Sequence, residues 1–422
     1  MAALILFGSF FILMLLTVPI GYSIGLATLI TLVTTSKIPL VMISQNAVAG
    51  VDSFPLLAIP FFMLAGNIMS GGGIAKRLVD FAETIVGSVT GGLAMVTTAT
   101  SMFFAAISGS AVATTSAVGA FMIPAMKNKG YDEAFSASLT AAAGTVGVII
   151  PPSVPFVIYG VVSSTSITDL FKAGFLPGIL MGIALMLASY IIAKKHGYVG
   201  TQRRVMVKEV WESFKDAIWA LLSPIIILGG IYSGYFTPTE AAVVSVVYST
   251  IVGRYVYKEL DNEALYKALK DTVVINGATT FMIGLSLAFA AYLSLQQIPA
   301  TVAAVLTSIT SNKTLLLLII NAFLLLIGTL IDNIPATIVL TPILLPVVIK
   351  LGMSPVTFGV MLTMNLAIGF VTPPYGINLF VASAISDISI GDMMRFMWYF
   401  LLALLVVLML TTYCTPVTML FL

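Results

Sequence analysis

The chain has 422 residues, of which 59% are hydrophobic and only 9% are charged. A soluble domain carries about 25% charged residues, so this composition excludes a soluble protein and indicates an integral membrane protein. The net charge of +2 has no basic tract behind it, which argues against nucleic-acid binding. Apolar runs of helical length recur from end to end, without the period-two alternation of an outer-membrane barrel. We therefore expect an all-α, polytopic membrane protein embedded in a lipid bilayer.

Residues that carry reactive chemistry are scarce. The single cysteine, Cys414, excludes an internal disulfide and a cysteine-based metal cluster. The single histidine, His196, follows Lys194 and Lys195, which is typical of a solvated residue at a helix end rather than a proton relay. The sequence contains no P-loop or catalytic motif, so we predict neither an ATP-driven pump nor an enzyme, and no cofactor. Met1 leads directly into an apolar run without a cleavage site, so the first helix is expected to be retained.

The first half of the chain predicts helices of different length and character. Apolar segments separated at Val18-Pro19 predict scaffold helices within residues 2–70. Charged residues lie among apolar ones from 74 to 88, a pattern typical of an amphipathic arm in the membrane interface. Residues 91–127 are too long for one span and carry Ser-Gly-Ser at their centre, so a re-entrant helical hairpin is expected. Next come a broken helix at 132–163, a long helix at 168–195 and a cytoplasmic connector at 201–216.

Two Pro-Pro pairs interrupt apolar runs of membrane length, at 151–152 and at 373–374. A Pro-Pro pair removes two backbone donors, so a helix cannot continue through it unbroken. In lipid, the freed carbonyl groups need partners inside the protein, because no water is present to supply one. Two such breaks therefore predict a paired ion and solute site.

The second half of the chain repeats the pattern of the first. Pro124 and Pro346 are 222 positions apart, as are Gly147 and Gly369 and the two Pro-Pro pairs. Each half has five predicted crossings, one of them broken, plus a hairpin that returns to its own side. Because five is odd, the second half enters the membrane in the opposite orientation, which predicts an inverted-topology repeat. The predicted repeats are 1–200 and 217–422, and the second holds a hairpin at 314–350, a broken helix at 355–384 and a helix at 391–412.

The distribution of basic residues predicts the orientation. With a periplasmic N-terminus, only four of the 19 Lys and Arg residues fall outside, and the remaining 15, including Arg203 and Arg204, face the cytoplasm. We therefore predict a multi-pass protein of the bacterial inner membrane with both termini in the periplasm. The first hairpin would open from the cytoplasm and the second from the periplasm. The four outside residues are Lys37, Lys172, Lys313 and Lys350.

The first hairpin tip, Ser108-Gly109-Ser110, has two interpretations. Two helix ends that meet opposite a broken helix leave carbonyl and hydroxyl groups of the kind that coordinates Na⁺. Alternatively, the small residues form a surface for close helix packing. The repeat aligns this tip with a second hairpin tip in the other half, which favours the ion site. Ser108 and Ser110 are therefore predicted to contact Na⁺ and substrate.

The second tip carries Asp332 and Asn333 between two strongly apolar segments. A carboxylate at membrane depth costs about 2.5 kcal/mol or more on insertion scales, which indicates a functional role. We predict that Asp332 binds a cation or accepts hydrogen bonds from substrate hydroxyl groups. The alternative is an Asp-Asn cap on a turn that reaches water.

The two breaks are predicted to supply backbone oxygens, from Gly147 to Pro151 and from Gly369 to Pro373, with a hydroxyl from Thr372. A half-helix begins after each break, and its free N–H groups suit a carboxylate. Ser153 and Asn378 are therefore predicted substrate contacts, although an ordinary N-cap explains Ser153 equally well.

In the order of its segments the chain resembles the large membrane subunit, the DctM-type permease, of a TRAP (tripartite ATP-independent periplasmic) transporter. The resemblance covers essentially the whole chain. The motifs that carry it are Ala-Ile-Ser-Gly-Ser-Ala at 106–111, Pro-Pro-Ser at 151–153, Ile-Asp-Asn at 331–333 and Gly-Phe-Val-Thr-Pro-Pro-Tyr-Gly-Ile-Asn at 369–378.

The resemblance implies a system of three proteins: a periplasmic substrate-binding protein, a small four-helix membrane subunit and this large subunit with the transport path. It also implies uptake of an organic acid, of the sialic acid or C4-dicarboxylate class, coupled to Na⁺ and carried out by an elevator motion. The small subunit is expected as a separate polypeptide. The implied Na⁺ sites are formed by Ser108, Ser110 and the backbone from Gly147 through Ile150 to 151, and by Asp332, Asn333, Gly369 and Thr372.

Two other functions stay open at the level of sequence. One is a stand-alone Na⁺/dicarboxylate symporter of the same superfamily, which would need no binding protein. The other is a channel or membrane scaffold, which the small number of intramembrane charges would fit.

Overall fold

The computed structural model describes residues 2–35, 38–198, 207–310 and 312–422. All regular structure in these ranges is helical. Lys37, Arg203 and Arg204 of the charge count, and residues 201–206 of the predicted connector, lie outside the described residues.

The first half contains ten α-helices, whose order follows the predicted segments. Several of them begin directly after a side chain that caps the helix. Asp132 and Ser166, for example, each accept a hydrogen bond from a backbone N–H in the first turn of the helix that follows. The ten helices are α1 Ala2–Leu15, α2 Ile20–Thr35, α3 Val41–Val51, α4 Ala58–Gly71, α5 Ile74–Val86, α6 Gly92–Ser108, α7 Ala111–Asn128, α8 Glu133–Gly144, α9 Val154–Ser163 and α10 Ile167–His196.

The second half contains the corresponding helices and a short C-terminal one. Residues 207–216, which the sequence assigned to the connector, belong to its first helix. The helices are α11 Val207–Tyr232, α12 Pro238–Ile251, α13 Asn262–Leu295, α14 Ile298–Ile309, α15 Lys313–Gly328, α16 Asn333–Lys350, α17 Pro355–Gly369, α18 Ile377–Ser386, α19 Ile390–Tyr413 and α20 Pro416–Met419.

From α5 onward, the helices of the two halves begin at positions that agree to within two residues when they are displaced by the sequence offset of 222. Helix α7 at 111–128 becomes α16 at 333–350, and the hairpins α6–α7 and α15–α16 have their tips at equivalent positions. Helices α3 and α4, which a 3₁₀ turn at Phe54–Leu57 separates, together correspond to the single long helix α13. The sequence analysis did not predict α3.

The broken helices form the core of the molecule. Every residue from 134 to 160 and from 357 to 371 is buried, and these ranges contain most of α8–α9 and α17. Hydrogen bonds between the halves support this core. The Tyr159 hydroxyl donates to the Pro355 carbonyl at 2.7 Å, and the Ser138 hydroxyl donates to the Met393 carbonyl at 2.7 Å.

The remaining helices pack around this core in two groups. Helices α2 to α5 contact α11, α12 and α13, and α1 packs on α2, whereas the hairpins contact the broken helices. The halves exchange partners, since α18 packs on α7 and α8, and α9 packs on α16. The site is therefore built from both halves of the chain.

Length and composition agree with a multi-pass membrane protein. Six helices of the described ranges are long and apolar enough to cross a membrane. Several shorter helices, among them α9, α17 and α18 of the broken helices, are also apolar. The six spans are Phe54–Gly71, Ile167–His196, Lys208–Tyr232, Asn262–Leu295, Asn333–Lys350 and Ile390–Tyr413.

Candidate functional site

The first hairpin tip brings three oxygen atoms together. The Ser108 hydroxyl lies 3.0 Å from the Thr114 hydroxyl, which donates to the Ser110 carbonyl at 2.8 Å. Gly109 between them has a φ of +61°, a left-handed conformation that glycine adopts without strain. The Ser110 hydroxyl accepts a hydrogen bond from the Ala113 N–H and so caps α7. Oxygen-rich corners of this kind suit hard cations, which prefer oxygen ligands.

The first break packs directly against this tip. The Val154 N–H donates to the Gly109 carbonyl at 3.3 Å. A Cβ atom added to Gly147 would lie 2.6 Å from both the Ser110 carbonyl oxygen and the Thr114 hydroxyl oxygen. Only glycine allows so close an approach, so the Gly147 backbone faces the oxygen cluster of the tip.

The second tip is capped by its own acidic residue. The Asp332 carboxylate accepts a hydrogen bond from the Asn333 N–H at 2.7 Å, at the start of α16. The Asn333 amide oxygen accepts from the Thr337 hydroxyl at 3.0 Å. The Asn333 amide nitrogen is buried and has no partner among the described residues, so this tip retains an unused buried polar atom.

The second break contacts the second tip in the same manner. The Tyr375 N–H donates to the Thr329 carbonyl at 3.1 Å. A Cβ atom on Gly369 would lie 2.2 Å from the backbone of Gly328, so these two backbones are in direct contact. The Thr372 hydroxyl donates to the Ile368 carbonyl at 2.9 Å and is thus bound to its own helix end. Both Pro-Pro bonds, 151–152 and 373–374, are cis.

A cavity of about 500 Å³ joins the two tips. Four helices begin at the wall of this cavity. Its lining includes the first residue of each, namely Ala111 of α7, Val154 of α9, Asn333 of α16 and Ile377 of α18. Each helix N-terminus carries a partial positive charge and unpaired N–H groups. The polar side chains of the lining are Asn67, Ser108, Ser110, Ser116, Thr279, Asp332 and Asn333.

Among the residues that the structure describes, Asp332 is the only one with an ionisable side chain in the lining of this cavity. It also lines a second cavity, of about 730 Å³, which extends past Tyr375 to the turn between α1 and α2. Within the described ranges, no salt bridge involves Asp332. Nor does any group of three His, Cys, Asp or Glu side chains occur there that could hold a metal ion. An ion bound here would therefore depend mainly on carbonyl, hydroxyl and amide oxygens, with Asp332 as a single carboxylate beside them.

Four of the predicted site residues, Ser108, Ser110, Asp332 and Asn333, line the cavity between the tips. Two predicted substrate contacts do not. The Ser153 hydroxyl donates to the Val148 carbonyl at 2.6 Å and accepts from the Phe156 N–H, so it is an N-cap, as the alternative had it.

The other predicted substrate contact, Asn378, is buried and donates to the Ala141 carbonyl at 3.1 Å, which ties the second broken helix to the first. Gly147, Ile150, Gly369 and Thr372 also lie outside the lining. Gly147 and Gly369 reach the site through backbone contacts with the hairpins.

Sequence reasoning missed four polar groups at or near the site, one of which is Ser116 on α7. Thr114 belongs to the oxygen cluster, and its position four residues after Ser110 was an available signal, because a threonine often bonds the carbonyl four residues before it. Asn67 on α4 and Thr279 on α13 line the cavity from the scaffold side. Their sequence neighbours gave no sign of this.

Comparison with known proteins decides the family. The family model described as "Tripartite ATP-independent periplasmic transporter, DctM component" matches residues 7–417. The chain belongs to the DctM family. This confirms the resemblance drawn from the tip and break motifs.

Curated members of the DctM family carry different substrates in their names. The chain is 43% identical over 417 residues to the isethionate TRAP transporter permease protein DctMQ of Oleidesulfovibrio alaskensis, covering 99% of this chain and 66% of that protein. It is 40% identical to the sialic acid TRAP transporter large permease SiaM of Vibrio cholerae, over 95% of this chain and 94% of that one. It is 39% identical to the C4-dicarboxylate large permease DctM of Pseudomonas aeruginosa, over 94% and 93% of the two chains. The chain thus spans about two thirds of the first relative and nearly all of the other two.

A solved structure with much lower sequence identity than these relatives shares the fold. The YdaH transporter of Alcanivorax borkumensis superposes with a TM-score of 0.63 at 15% identity, over 88% of this chain and 86% of that one. At that identity the likeness concerns the fold alone.

Proposed function

We propose that the chain is the transport subunit of a Na⁺-coupled TRAP system that takes up an organic acid. The observation that carries this proposal is the cavity where α7, α9, α16 and α18 begin. Four positive helix ends around one space favour a small anion, and they do so without a basic side chain. This agrees with the names of the relatives, all of which refer to the transport of organic acids.

The Na⁺ requirement follows from Asp332. A carboxylate in the cavity wall would repel an anionic substrate, and that repulsion is strong where water is scarce. A bound cation beside Asp332 and Asn333 would remove it, and a second would be held by Ser108, Ser110, Thr114 and the backbone at Gly147 and Ile150. Gly369 and Thr372 would complete the site at Asp332. Substrate and Na⁺ would then bind together, which is the basis of coupled transport.

The proposed movement is an elevator motion in the inverted-repeat architecture. The hairpins and broken helices would move as one body against α1 to α5 and α11 to α14. With both termini in the periplasm of an inner-membrane protein, the turn between α1 and α2 faces the cytoplasm. The cavity that joins this turn to Asp332 and Tyr375 would then be the release path to the cytoplasm.

Two partner proteins belong to the proposal: a small four-helix membrane subunit and a periplasmic substrate-binding protein. Substrate selectivity would lie largely in the binding protein, because the cavity offers few side chains that distinguish one organic acid from another. Sialic acid, C4-dicarboxylates and isethionate are the substrate classes to test.

Reconstitution into proteoliposomes tests the proposal. We expect uptake only when an inward Na⁺ gradient, the small subunit and the loaded binding protein are all present. Full uptake by this chain alone would instead favour a stand-alone symporter. Flux that neither saturates nor responds to Na⁺ would favour a channel.

A further inference from the structure

A cavity with a purely apolar wall lies behind the tip of the second hairpin. Its volume is about 390 Å³, and all of its lining residues are apolar. One side is formed by α1, α13 and the arm α14, and the other side by α15 and α16. The cavity thus lies between α1 and the hairpin that carries Asp332, whereas α13 and α14 also contact α16 directly.

The cavity has a buried floor and an exposed rim. On the floor, Ile24, Phe289 and Ile320 are each about 1% exposed. At the rim, Phe11 and Phe323 are 39% and 41% exposed. In a multi-pass membrane protein, exposed apolar side chains of this kind face lipid, so the cavity is continuous with the lipid-facing surface.

We propose that an acyl chain of a membrane phospholipid occupies this cavity. Water does not fill a cavity that offers it no hydrogen-bond partner. Apolar groups gain free energy when they enter such a space, and phospholipid is the apolar molecule present all along the open rim. The volume lies in the range of ordinary ligand pockets, roughly 300–1,000 Å³, and the apolar wall leaves the headgroup outside.

The position of the acyl chain gives it a role in movement. Ile331 and Pro335, which line the cavity, flank the tip residues Asp332 and Asn333. The lipid chain therefore supports the back of the second tip and fills the space between the hairpin and α1, beside the contact of α14 with α16. This role in movement rests on the proposed transport function, whereas the binding of the lipid does not.

Quenching of tryptophan fluorescence by lipids brominated in their acyl chains tests occupancy. The three native tryptophans, Trp211, Trp219 and Trp398, are first replaced by phenylalanine. Phe289→Trp then places one reporter in the cavity, and Phe358→Trp places a matched reporter in the core, where the side chain is fully buried and packs on Tyr159. In vesicles of brominated phosphatidylcholine we expect quenching several-fold stronger for Phe289→Trp. Equal quenching of the two reporters would overturn the proposal.

A second pair of variants tests the same site without tryptophan. Val302 on α14 lines the cavity, whereas Val305, on the same helix, does not and is 56% exposed. By native mass spectrometry, Val302→Phe should lose most of the phospholipid that the purified protein retains, and Val305→Phe should keep it. Unchanged retention in Val302→Phe would count against the site. If reconstituted uptake fails while these differences persist, the lipid site stands and the proposed function does not.

Discussion

Asp332 has the clearest role at the scale of single residues. Within the described part of the chain it is the only ionisable side chain in the wall of the cavity between the tips, and its carboxylate caps α16 through the Asn333 N–H. Interactions of a charged group are worth about 1.5–3 kcal/mol, so we expect Asp332→Asn to lower the initial rate of Na⁺-driven uptake roughly 10- to 100-fold. The measurement is the rate in proteoliposomes as a function of Na⁺ concentration.

Asp387→Asn provides the control for this substitution. Asp387 is exposed at the far end of α18 in a left-handed conformation, which asparagine also tolerates. Its uptake should stay within twofold of the original protein. A rate for Asp332→Asn as high as that of the control would remove Asp332 from the ion site.

Thr114 allows a test of the other ion site. Its hydroxyl contacts both Ser108 and the Ser110 carbonyl, and Thr114→Val removes that oxygen with little change of shape. Loss of one neutral ligand should raise the Na⁺ concentration for half-maximal uptake about five- to tenfold. Thr250→Val is a matched control, because Thr250 also donates to the carbonyl four residues before it, on α12. If both variants shift equally, Thr114 is a structural residue only.

Single residues also show where sequence reasoning reached its limit. Ser108, Ser110, Asp332 and Asn333 could be predicted because each interrupts a long apolar run, where a polar residue is costly and therefore informative. The sequence could not show that the Ser153 hydroxyl bonds the Val148 carbonyl, because that contact depends on how the chain folds back at the break.

At the scale of elements, Arg77 adds a polar link to the apolar contacts that hold the arm α5 against α11. Arg77 is 2.8 Å from Glu259 and 3.4 Å from Asp216, and its guanidinium lies 3.8 Å from the centre of the Tyr257 ring. Asp216 belongs to α11, and Tyr257 and Glu259 follow α12. Arg77 therefore joins α5 to the second half of the chain. In the proposed elevator motion, fixing α5 in this way would leave Gly87 to Gly91, between α5 and α6, as the segment that bends.

We expect Arg77→Gln to release the arm. The side chain of Arg77 is 16% exposed, but its acidic partners are 63% and 43% exposed, so solvent screening limits the cost to about 1–2 kcal/mol. This should lower the apparent melting temperature of the purified protein by roughly 2–4 °C. Lys76→Gln, an exposed neighbour on the same arm, should leave it unchanged. The interpretation fails if both variants melt at the same temperature.

Elements differ in how far the sequence predicted them. Hairpins, breaks and the arm α5 follow from local signals such as Gly-Ser tips, Pro-Pro pairs and spaced charges. Helix α3 contains Ser44, Gln45 and Asn46 and gives no such signal. It is stabilised by its contact with α13, where Gly50 lies against Leu287 and Gly284 lies against Ala47. Such long-range packing overrides local propensity and cannot be derived from the segment itself.

At the scale of the whole molecule, the repeat explains why the site lies between the halves. The offset of 222 aligns the halves but does not say how they pack. In the structure each half packs on the other. Asn378 of the second broken helix donates to the Ala141 carbonyl of the first broken helix, and the Tyr159 hydroxyl of the first donates to the Pro355 carbonyl of the second. Four helix ends meet in one cavity as a result of this packing.

The orientation of the two halves gives the last prediction. Lys129 and Lys350 are exposed residues beside equivalent turns: Gly130 directly follows Lys129, Gly352 lies two residues after Lys350, and both glycines have a positive φ. Inverted halves place these turns on opposite sides of the membrane. With Cys414→Ser as background, a membrane-impermeant maleimide should label Lys350→Cys in intact spheroplasts. It should label Lys129→Cys only after lysis. Labelling of both cysteines from one side would contradict the inverted topology, because the two turns of a parallel repeat face the same compartment.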